Sequence, residues 1–248
     1  MANRQRAEAR RKAQAKASRS SGDGGDGGSK MRICLGLAAV VALVVGIVVF
    51  ASSGSDSSAD PSSNTSDTSG LASLPASQPV SVTGTPLAAF DAANNPDPAV
   101  GVDAPSLSGL NFAGETIAVD PATKGPYMLV YLAHWCPHCN TEVPRLINWK
   151  NSGAVPPELN VIGVATAVSA GSVNYPPASW FSNKGWPWPV MVDESLGDGA
   201  AGKAAVAYGA SGWPYFVIVG ADGKVKVRVS GEIEIAELQK IVAAALAA

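Results

Sequence analysis

Two cysteines of this 248-residue chain, Cys136 and Cys139, are separated only by Pro137 and His138. An apolar run over residues 127–132 precedes the pair, and a polar segment compatible with a helix follows it. A strand that leads into Cys-x-x-Cys at the first turn of a helix is the setting in which this spacing indicates thiol–disulfide redox chemistry.

The expected position at a helix start explains how such a pair would work. A thiolate is the reactive form of cysteine, and the free amide groups at a helix start stabilise its negative charge. We therefore expect Cys136 to be the nucleophile and Cys139, three positions on, to be the resolving thiol. Pro137 suits the first helical position because no backbone N–H is needed there. His138 adds positive charge beside the sulfur, which favours the thiolate and makes the disulfide more oxidising.

Other uses of the pair fit the sequence less well. A structural zinc site needs four ligands, usually with a second Cys-x-x-Cys or a His pair elsewhere in the chain, and the sequence has no such set. A covalently attached haem needs His directly after the second cysteine, where this chain has Asn140. The proline-before-cysteine context of peroxiredoxin-type sites is also missing. A purely structural disulfide stays open as an alternative, and no metal or cofactor beyond the redox-active disulfide is predicted.

The N-terminal region predicts a membrane anchor. Residues 1–32 contain nine basic and three acidic residues, and residues 33–50 are an uncharged apolar run, whereas the whole chain has a net charge of −2. Such a run is at the short end of a transmembrane helix, and the positive-inside rule places residues 1–32 in the cytoplasm and the C-terminal part outside. A cleavable signal peptide is the alternative. Because topology explains the basic tail, no nucleic-acid partner is predicted.

Residues 51–104 are rich in Ser, Pro and Asp, and they predict a flexible linker. Scattered apolar residues over 71–98 allow partial order there. Outside the cytosol disulfides persist, and the exported part contains only Cys136 and Cys139. A loop this short would constrain the unfolded chain little, so a working redox pair explains the two cysteines better than a structural cross-link.

Residues 105–248 are long enough for one domain with its own core, and their elements alternate between strand and helix. A parallel β-α-β unit comes first, an antiparallel hairpin with an Asp-Gly turn follows, and an amphipathic helix ends the chain. This order predicts an α/β, thioredoxin-like fold. Strands are expected at 115–119, 127–133, 160–167, 189–193, 215–219 and 225–229, and helices at 137–149, 176–184, 200–208 and 233–246.

Residues 105–248 resemble the membrane-anchored thioredoxin-like thiol–disulfide oxidoreductases of the TlpA/ResA kind. The residues that carry the resemblance are Trp135-Cys136-Pro137-His138-Cys139, Glu142, Pro144, Tyr208, Gly212-Trp213-Pro214 and the segment 219–225.

The resemblance implies roles for several of these residues. It implies that a cis peptide bond precedes Pro214, that this proline lies against the disulfide, and that Trp213 lines the substrate groove. Trp135 corresponds to the aromatic residue beside the nucleophile. Glu142 corresponds to an acidic residue that, if partly buried, would accept the proton of Cys139. A solvated surface glutamate is the alternative for Glu142.

The sequence thus predicts an extracytoplasmic thiol–disulfide oxidoreductase that acts on protein thiols or disulfides through a mixed disulfide and has a redox partner in the membrane. The resemblance implies reduction of substrate disulfides with electrons from that partner. The dipeptide Pro137-His138 instead resembles the DsbA-type oxidants, which a quinone-linked membrane protein re-oxidises. The direction of electron flow therefore stays open, and a non-enzymatic binding module with a structural disulfide is a further alternative.

Overall fold

The apolar run that precedes the cysteines is the central strand of the sheet, and all six of its residues are buried. The structure is a computed structural model that describes residues 74–122 and 125–248. A strand with both faces covered is expected to be apolar throughout, because neither set of alternating side chains reaches solvent.

Eight strands and four helices lie within the described ranges. The strands are β1 (Ser81–Thr83), β2 (Ser106–Leu110), β3 (Thr116–Val119), β4 (Tyr127–Leu132), β5 (Asn160–Ala165), β6 (Val190–Val192), β7 (Tyr215–Val219) and β8 (Val225–Ser230). The helices are α1 (Pro137–Asn151), α2 (Pro177–Lys184), α3 (Lys203–Ala207) and α4 (Ile235–Ala247).

The strands lie in the order β1-β2-β6-β5-β4-β7-β8, and β3 pairs with β2. Strands β4, β5 and β6 are parallel neighbours, β7 is antiparallel to β4, and β8 is antiparallel to β7. This is the thioredoxin-like arrangement that the sequence predicts, with β8 at the edge. The predicted elements agree with the observed ones to within a few residues at either end. Strands β1 and β2 were not predicted, because they are short and rich in serine.

Side chains of β4 alternate between two apolar layers. The even-numbered residues from Met128 to Leu132 pack with side chains of α1, α2 and α4. The odd-numbered residues from Tyr127 to Tyr131 pack with α3 and with the chain that precedes β2. Because both layers hold β4 in place, the turn that follows its last residue has a rigid base.

Part of the predicted linker packs on the domain. The sequence predicts flexibility over 51–104, whereas residues 74–105, here called the strap, lie against the sheet and α3. Val80 and Leu87 of the strap are buried, and the strand β1 pairs with β2. The Leu87 N–H donates to the Ala207 oxygen at 2.9 Å, and the Phe90 N–H donates to the Gly209 oxygen at 2.8 Å. The few apolar residues of the strap determine that it is ordered, because they pack into the core of the domain. The average composition of the segment does not show this.

A buried ion pair fastens the strap. The guanidinium of Arg228 donates to both carboxylate oxygens of Asp97 and, at 2.6 Å, to the Ala88 oxygen. It also lies 5.5 Å from the centre of the Phe90 ring. The hydrogen bond from Arg228 lowers the pKa of Asp97, so both partners are charged at neutral pH.

The remaining N-terminal predictions fall on residues 1–73, outside the described residues. These are the basic tail over 1–32, the membrane helix over 33–50 and the first part of the linker. Within residues 74–122 and 125–248, no helix has the length and apolar character that a membrane span requires.

Candidate active site

The two cysteines lie at the junction between β4 and α1. Cys136 is the extended residue that precedes the helix, and Pro137 is its first residue. The Cys136 N–H donates to the Ala133 oxygen at 3.1 Å, which closes the turn between strand and helix. Because α1 starts at this point, its free amide groups point toward the Cys136 sulfur, as the sequence predicts.

Cys136 has an acidic thiol. Both cysteines are free thiols in the structure. The pKa of Cys136 is lowered to about 6, first by a hydrogen bond from the Cys139 thiol and then by the N–H groups of Cys139 and His138 and the charge on His138. Burial acts in the opposite direction but is outweighed. At neutral pH the first cysteine is therefore largely a thiolate.

Cys139 has the opposite character. Its side chain is fully buried, and burial raises its pKa far above the ordinary value. The hydrogen bond that it donates to Cys136 and the charges of Cys136 and Glu142 raise the pKa further. The pair thus consists of one ionised sulfur at the helix start, on a residue that is only 5% exposed, and one protonated sulfur that is fully buried.

Glu142 is buried beneath the pair rather than solvated. It is fully buried on α1, one turn beyond Cys139, and burial raises the pKa of its carboxyl group. Its Oε2 accepts a hydrogen bond from the Ile233 N–H at 3.3 Å and lies 3.4 Å from Arg145 Nη1. Its Oε1 is buried and has no hydrogen-bond partner among the described residues. An unpartnered carboxylate oxygen near a protonated thiol is suited to accept a proton.

His138 is exposed and pairs with a distant carboxylate. Its Nδ1 lies 2.7 Å from Oε1 of Glu232, in the turn between β8 and α4. This hydrogen bond raises the pKa of His138, and the negative charge of the Cys136 thiolate raises it further. The imidazole is thus held closer to its charged form next to the nucleophile.

One of the predicted groove residues, Trp213, lies beside the nucleophile. The bond between Trp213 and Pro214 is cis, as the resemblance implies, and Cys136 Sγ lies 3.4 Å from the Trp213 oxygen. Trp135 is half-buried, and its indole N–H donates to the Ala167 oxygen at 2.6 Å. Trp135 and Trp213 are thus both near the nucleophile, on either side of it along the chain.

The loop after β5 is tied to the cysteine turn by residues that the sequence analysis did not assign to the site. His134 is buried and neutral, because burial lowers its pKa. Its Nδ1 contacts the Val173 oxygen at 2.8 Å and its Nε2 accepts from the Ser169 N–H at 3.3 Å, so Nδ1 carries the proton. Asn140 donates to the His134 oxygen and accepts from the Trp180 indole. Nothing in their spacing indicates these contacts.

Arg145 and Glu232 were also missed. Arg145 lies 3.1 Å from Glu232 and 3.4 Å from Glu142. The spacing of Glu142 and Arg145 on one helix indicates a neighbouring pair, but no sequence signal connects either residue to Glu232. In the same described part of the chain, no group of three His, Cys, Asp or Glu residues is placed to hold a metal ion.

A family model agrees with this region of the chain. The model of the AhpC/TSA family matches residues 100–228, which include both cysteines, Glu142 and the Trp213–Pro214 pair. Among curated proteins, no match is found.

Several solved structures are similar. One, a thiol:disulfide interchange protein of the thioredoxin family from Chlorobium tepidum TLS, has 23% identity and a TM-score of 0.46, with 58% of this chain and 94% of that chain covered. A secreted Mycobacterium tuberculosis disulfide oxidoreductase homologous to E. coli DsbE has 24% identity and a TM-score of 0.44, with 55% and 94% covered. StoA from Bacillus subtilis has 16% identity and a TM-score of 0.44, with 58% and 99% covered. These similarities are too remote to carry a function, which must come from the site itself.

Proposed function

The chain belongs to the AhpC/TSA family, and we propose that it is a thiol–disulfide oxidoreductase that uses Cys136 and Cys139 on protein substrates. The observation that carries this proposal is the opposite ionisation of the two sulfurs. Cys136 has a pKa of about 6 and attacks as a thiolate, whereas buried Cys139 keeps its proton until it is needed. A purely structural disulfide would need neither property.

The exchange has two steps. In the reducing direction, the Cys136 thiolate attacks one sulfur of a substrate disulfide, that S–S bond breaks, and a mixed disulfide forms while the released substrate thiolate takes a proton from solvent. Cys139 then gives its proton to Glu142 and attacks the Cys136 sulfur. The mixed disulfide breaks, the second substrate thiolate leaves, and Cys136–Cys139 becomes a disulfide. Two electrons have passed to the substrate, and the oxidising direction is the reverse of these steps.

Two features support a protein substrate. Cys136 lies beside the main-chain oxygen of Trp213, so a chain that presents a cysteine to it would meet main-chain as well as side-chain atoms. The half-buried indoles of Trp135 and Trp213 offer apolar surface to such a chain. These contacts fit the backbone and apolar side chains that are common to all proteins.

The proposed location is the extracytoplasmic side of a membrane, with a membrane protein as redox partner. This part of the proposal rests on the apolar run over 33–50 and the basic residues before it. A membrane-impermeant maleimide should label Cys136 in intact cells. Labelling that requires cell lysis would contradict this location.

The function is tested on the full-length protein in detergent with two matched variants. Wild type should accelerate the reduction of insulin by dithiothreitol, and Cys136→Ala should not. Cys139→Ala should retain the attacking thiol but accumulate a mixed disulfide with the substrate, which is visible on a non-reducing gel. If Cys136→Ala acts as wild type does, the redox function is wrong and the binding-module alternative is favoured.

A second candidate is the oxidising direction, in which the protein forms disulfides in exported chains. The observation that favours it is the ion pair of His138 with Glu232, because a positive charge beside Cys136 stabilises the reduced form and makes the disulfide a stronger oxidant. Reduction potentials distinguish the two directions, since they are about −120 mV for DsbA and about −270 mV for thioredoxin.

A further inference from the structure

We infer that Glu232 and Arg145 are positioning residues that join His138, beside the attacking sulfur, to Glu142, beneath the resolving sulfur, and that Glu232 thereby tunes both thiols. This inference rests on the proposed function, and it assigns to these two residues the control of the ionisation of both thiols. Neither residue touches a sulfur or a substrate.

Glu232 uses its two carboxylate oxygens for two different partners. Oε1 lies 2.7 Å from His138 Nδ1, and Oε2 lies 3.1 Å from Arg145 Nη1. Because Glu232 sits in the turn after the edge strand β8, it meets α1 from outside and spans two successive turns of that helix. One carboxylate thus contacts both an exposed cation near the first cysteine and a cation that reaches toward the second.

Arg145 carries the connection inward. The same Nη1 that contacts Glu232 lies 3.4 Å from Oε2 of Glu142, whose side chain is fully buried. Its Nη2 lies 3.4 Å from Glu234, a carboxylate that is 79% exposed. One guanidinium therefore contacts three carboxylates. The attraction between Arg145 and Glu142 thus depends on the negative charge of Glu232, which competes for the same guanidinium.

The charges around each end give the sign of the effect. His138 is faced by Glu232 and by Cys136, and both favour its protonated form. Glu142 is faced by Arg145, which lowers the pKa of its carboxyl group, and by Glu232, which raises it. Glu232 therefore keeps a positive charge near Cys136 and keeps Glu142 ready to take a proton from Cys139.

Loss of the Glu232 charge should weaken both functions of the site. His138 would deprotonate more easily, so the Cys136 thiolate would lose a neighbouring cation and the pKa of Cys136 would rise. Arg145 would then interact more strongly with Glu142, which would lower the pKa of the Glu142 carboxyl group and make it a weaker proton acceptor. A merely structural ion pair at this degree of exposure would affect stability slightly and leave both titrations unchanged.

The test is the variant Glu232→Gln in full-length protein that also carries Cys34→Ala, which removes the third cysteine of the chain so that Cys136 and Cys139 are its only thiols. The readouts are the pH dependence of Cys136 alkylation by iodoacetamide and the equilibrium with glutathione. We expect the alkylation profile to move to higher pH, and the equilibrium to shift about two- to fivefold toward the disulfide form, as an ion pair of this exposure allows. Glu232→Asp should recover part of both shifts.

Two controls match the change in net charge. Glu237→Gln removes a carboxylate of α4 that pairs with Lys240 and contacts none of the site residues. Glu234→Gln removes a carboxylate that contacts Arg145 but not His138. Neither variant should shift the Cys136 profile. If Glu232→Gln shifts it no more than Glu237→Gln does, the inference is wrong.

A double-mutant cycle separates the effect of Glu232 through His138 from its effect through Arg145. In a His138→Gln background, Glu232→Gln should no longer shift the pH dependence of Cys136 alkylation. It should still slow the resolution of the mixed disulfide, because Arg145 still connects position 232 to Glu142. A shift of the Cys136 profile that persists without His138 would overturn the proposed route. Because alkylation needs no substrate, the inference can hold or fail whether or not insulin reduction supports the proposed function.

Discussion

The Cys136 sulfur donates a hydrogen bond to the main-chain oxygen of Trp213 at 3.4 Å, across 77 positions of the chain. This contact joins the start of α1 to the loop before β7, so the nucleophile lies between two segments of backbone. Ionisation of Cys136 removes that donor, and the thiolate then depends on Cys139 and on the amides of the helix start. The acidity of Cys136 is therefore a property of the folded domain.

Reduced protein should become more stable as the pH rises from about 6 to about 9, relative to the Cys136→Ala variant. The fold lowers the pKa of Cys136 from 9.0 to about 6, so the folded state releases this proton before the unfolded state does. Stability that comes from such a group is present above the unfolded pKa and is lost as the pH falls through the folded pKa. Solvent screening leaves a stabilisation on the order of 2 kcal/mol.

Urea unfolding of both reduced proteins at several pH values measures this difference. Because the fold raises the pKa of Cys139, which both proteins contain, the stability of each should fall above the ordinary cysteine range, while the difference between them should stop growing there. Equal pH dependence of wild type and Cys136→Ala between 6 and 9 would contradict the prediction.

The reduction potential should be roughly −240 mV. The pKa of Cys136, about 6, lies about one unit below the value of about 7 for thioredoxin. A tenfold change in the thiol–disulfide equilibrium corresponds to about 30 mV, which is added to the value of about −270 mV for thioredoxin. Equilibration of the full-length protein with glutathione buffers measures the potential. A value near about −120 mV would show that features other than the acidity of Cys136 dominate and would favour the oxidising direction.

Glu142→Gln should slow the second step of exchange and leave the first unchanged. The amide cannot take the proton of Cys139, and loss of a general base typically reduces a rate by about 100-fold or more. Mixed disulfide should accumulate during turnover, whereas alkylation of Cys136 at neutral pH should keep its rate. Glu237→Gln, which removes an exposed carboxylate of α4 that pairs with Lys240, is the matched control. Unchanged release of substrate would remove Glu142 from the mechanism.

Asp97→Asn should detach the strap. The Arg228 guanidinium is fully buried, and removal of its charged partner leaves an uncompensated cation, which costs about 3 kcal/mol. We expect a lower urea midpoint and faster proteolysis of residues 87–104. Asp103→Asn is the matched control, because Asp103 pairs with Lys224 at the surface and is 85% exposed. Similar losses in the two variants would show that burial of the Arg228 pair contributes little. Since the pKa of Asp97 is lowered in the folded state, the stabilisation from the Asp97–Arg228 pair should also be lost as the pH falls through the pKa of Asp97 in the folded protein.

Local sequence was sufficient for the reactive centre. The six apolar residues of β4, the prolines and cysteines of the turn and the apolar periodicity of α4 each favour a single local structure. For that reason the positions of Cys136 and Cys139 and the order of the main elements could be predicted. The cis bond before Pro214 was predictable only from the resemblance, because the residues around it would also fit an ordinary turn.

The tertiary structure decided what lies around that centre. Whether Glu142 is solvated or buried depends on α4 and on the turn that contains Glu232, which lie some 90 positions away along the chain. The strap was predicted as a linker because its composition is polar on average, yet single contacts such as Arg228 with Asp97 hold it to the domain. Helical and strand patterns arise from neighbours in sequence, whereas the pKa of a thiol or a carboxyl group arises from neighbours in space. The amino-acid sequence by itself therefore determined which residues could react, and only the folded chain decided how acidic each of them is.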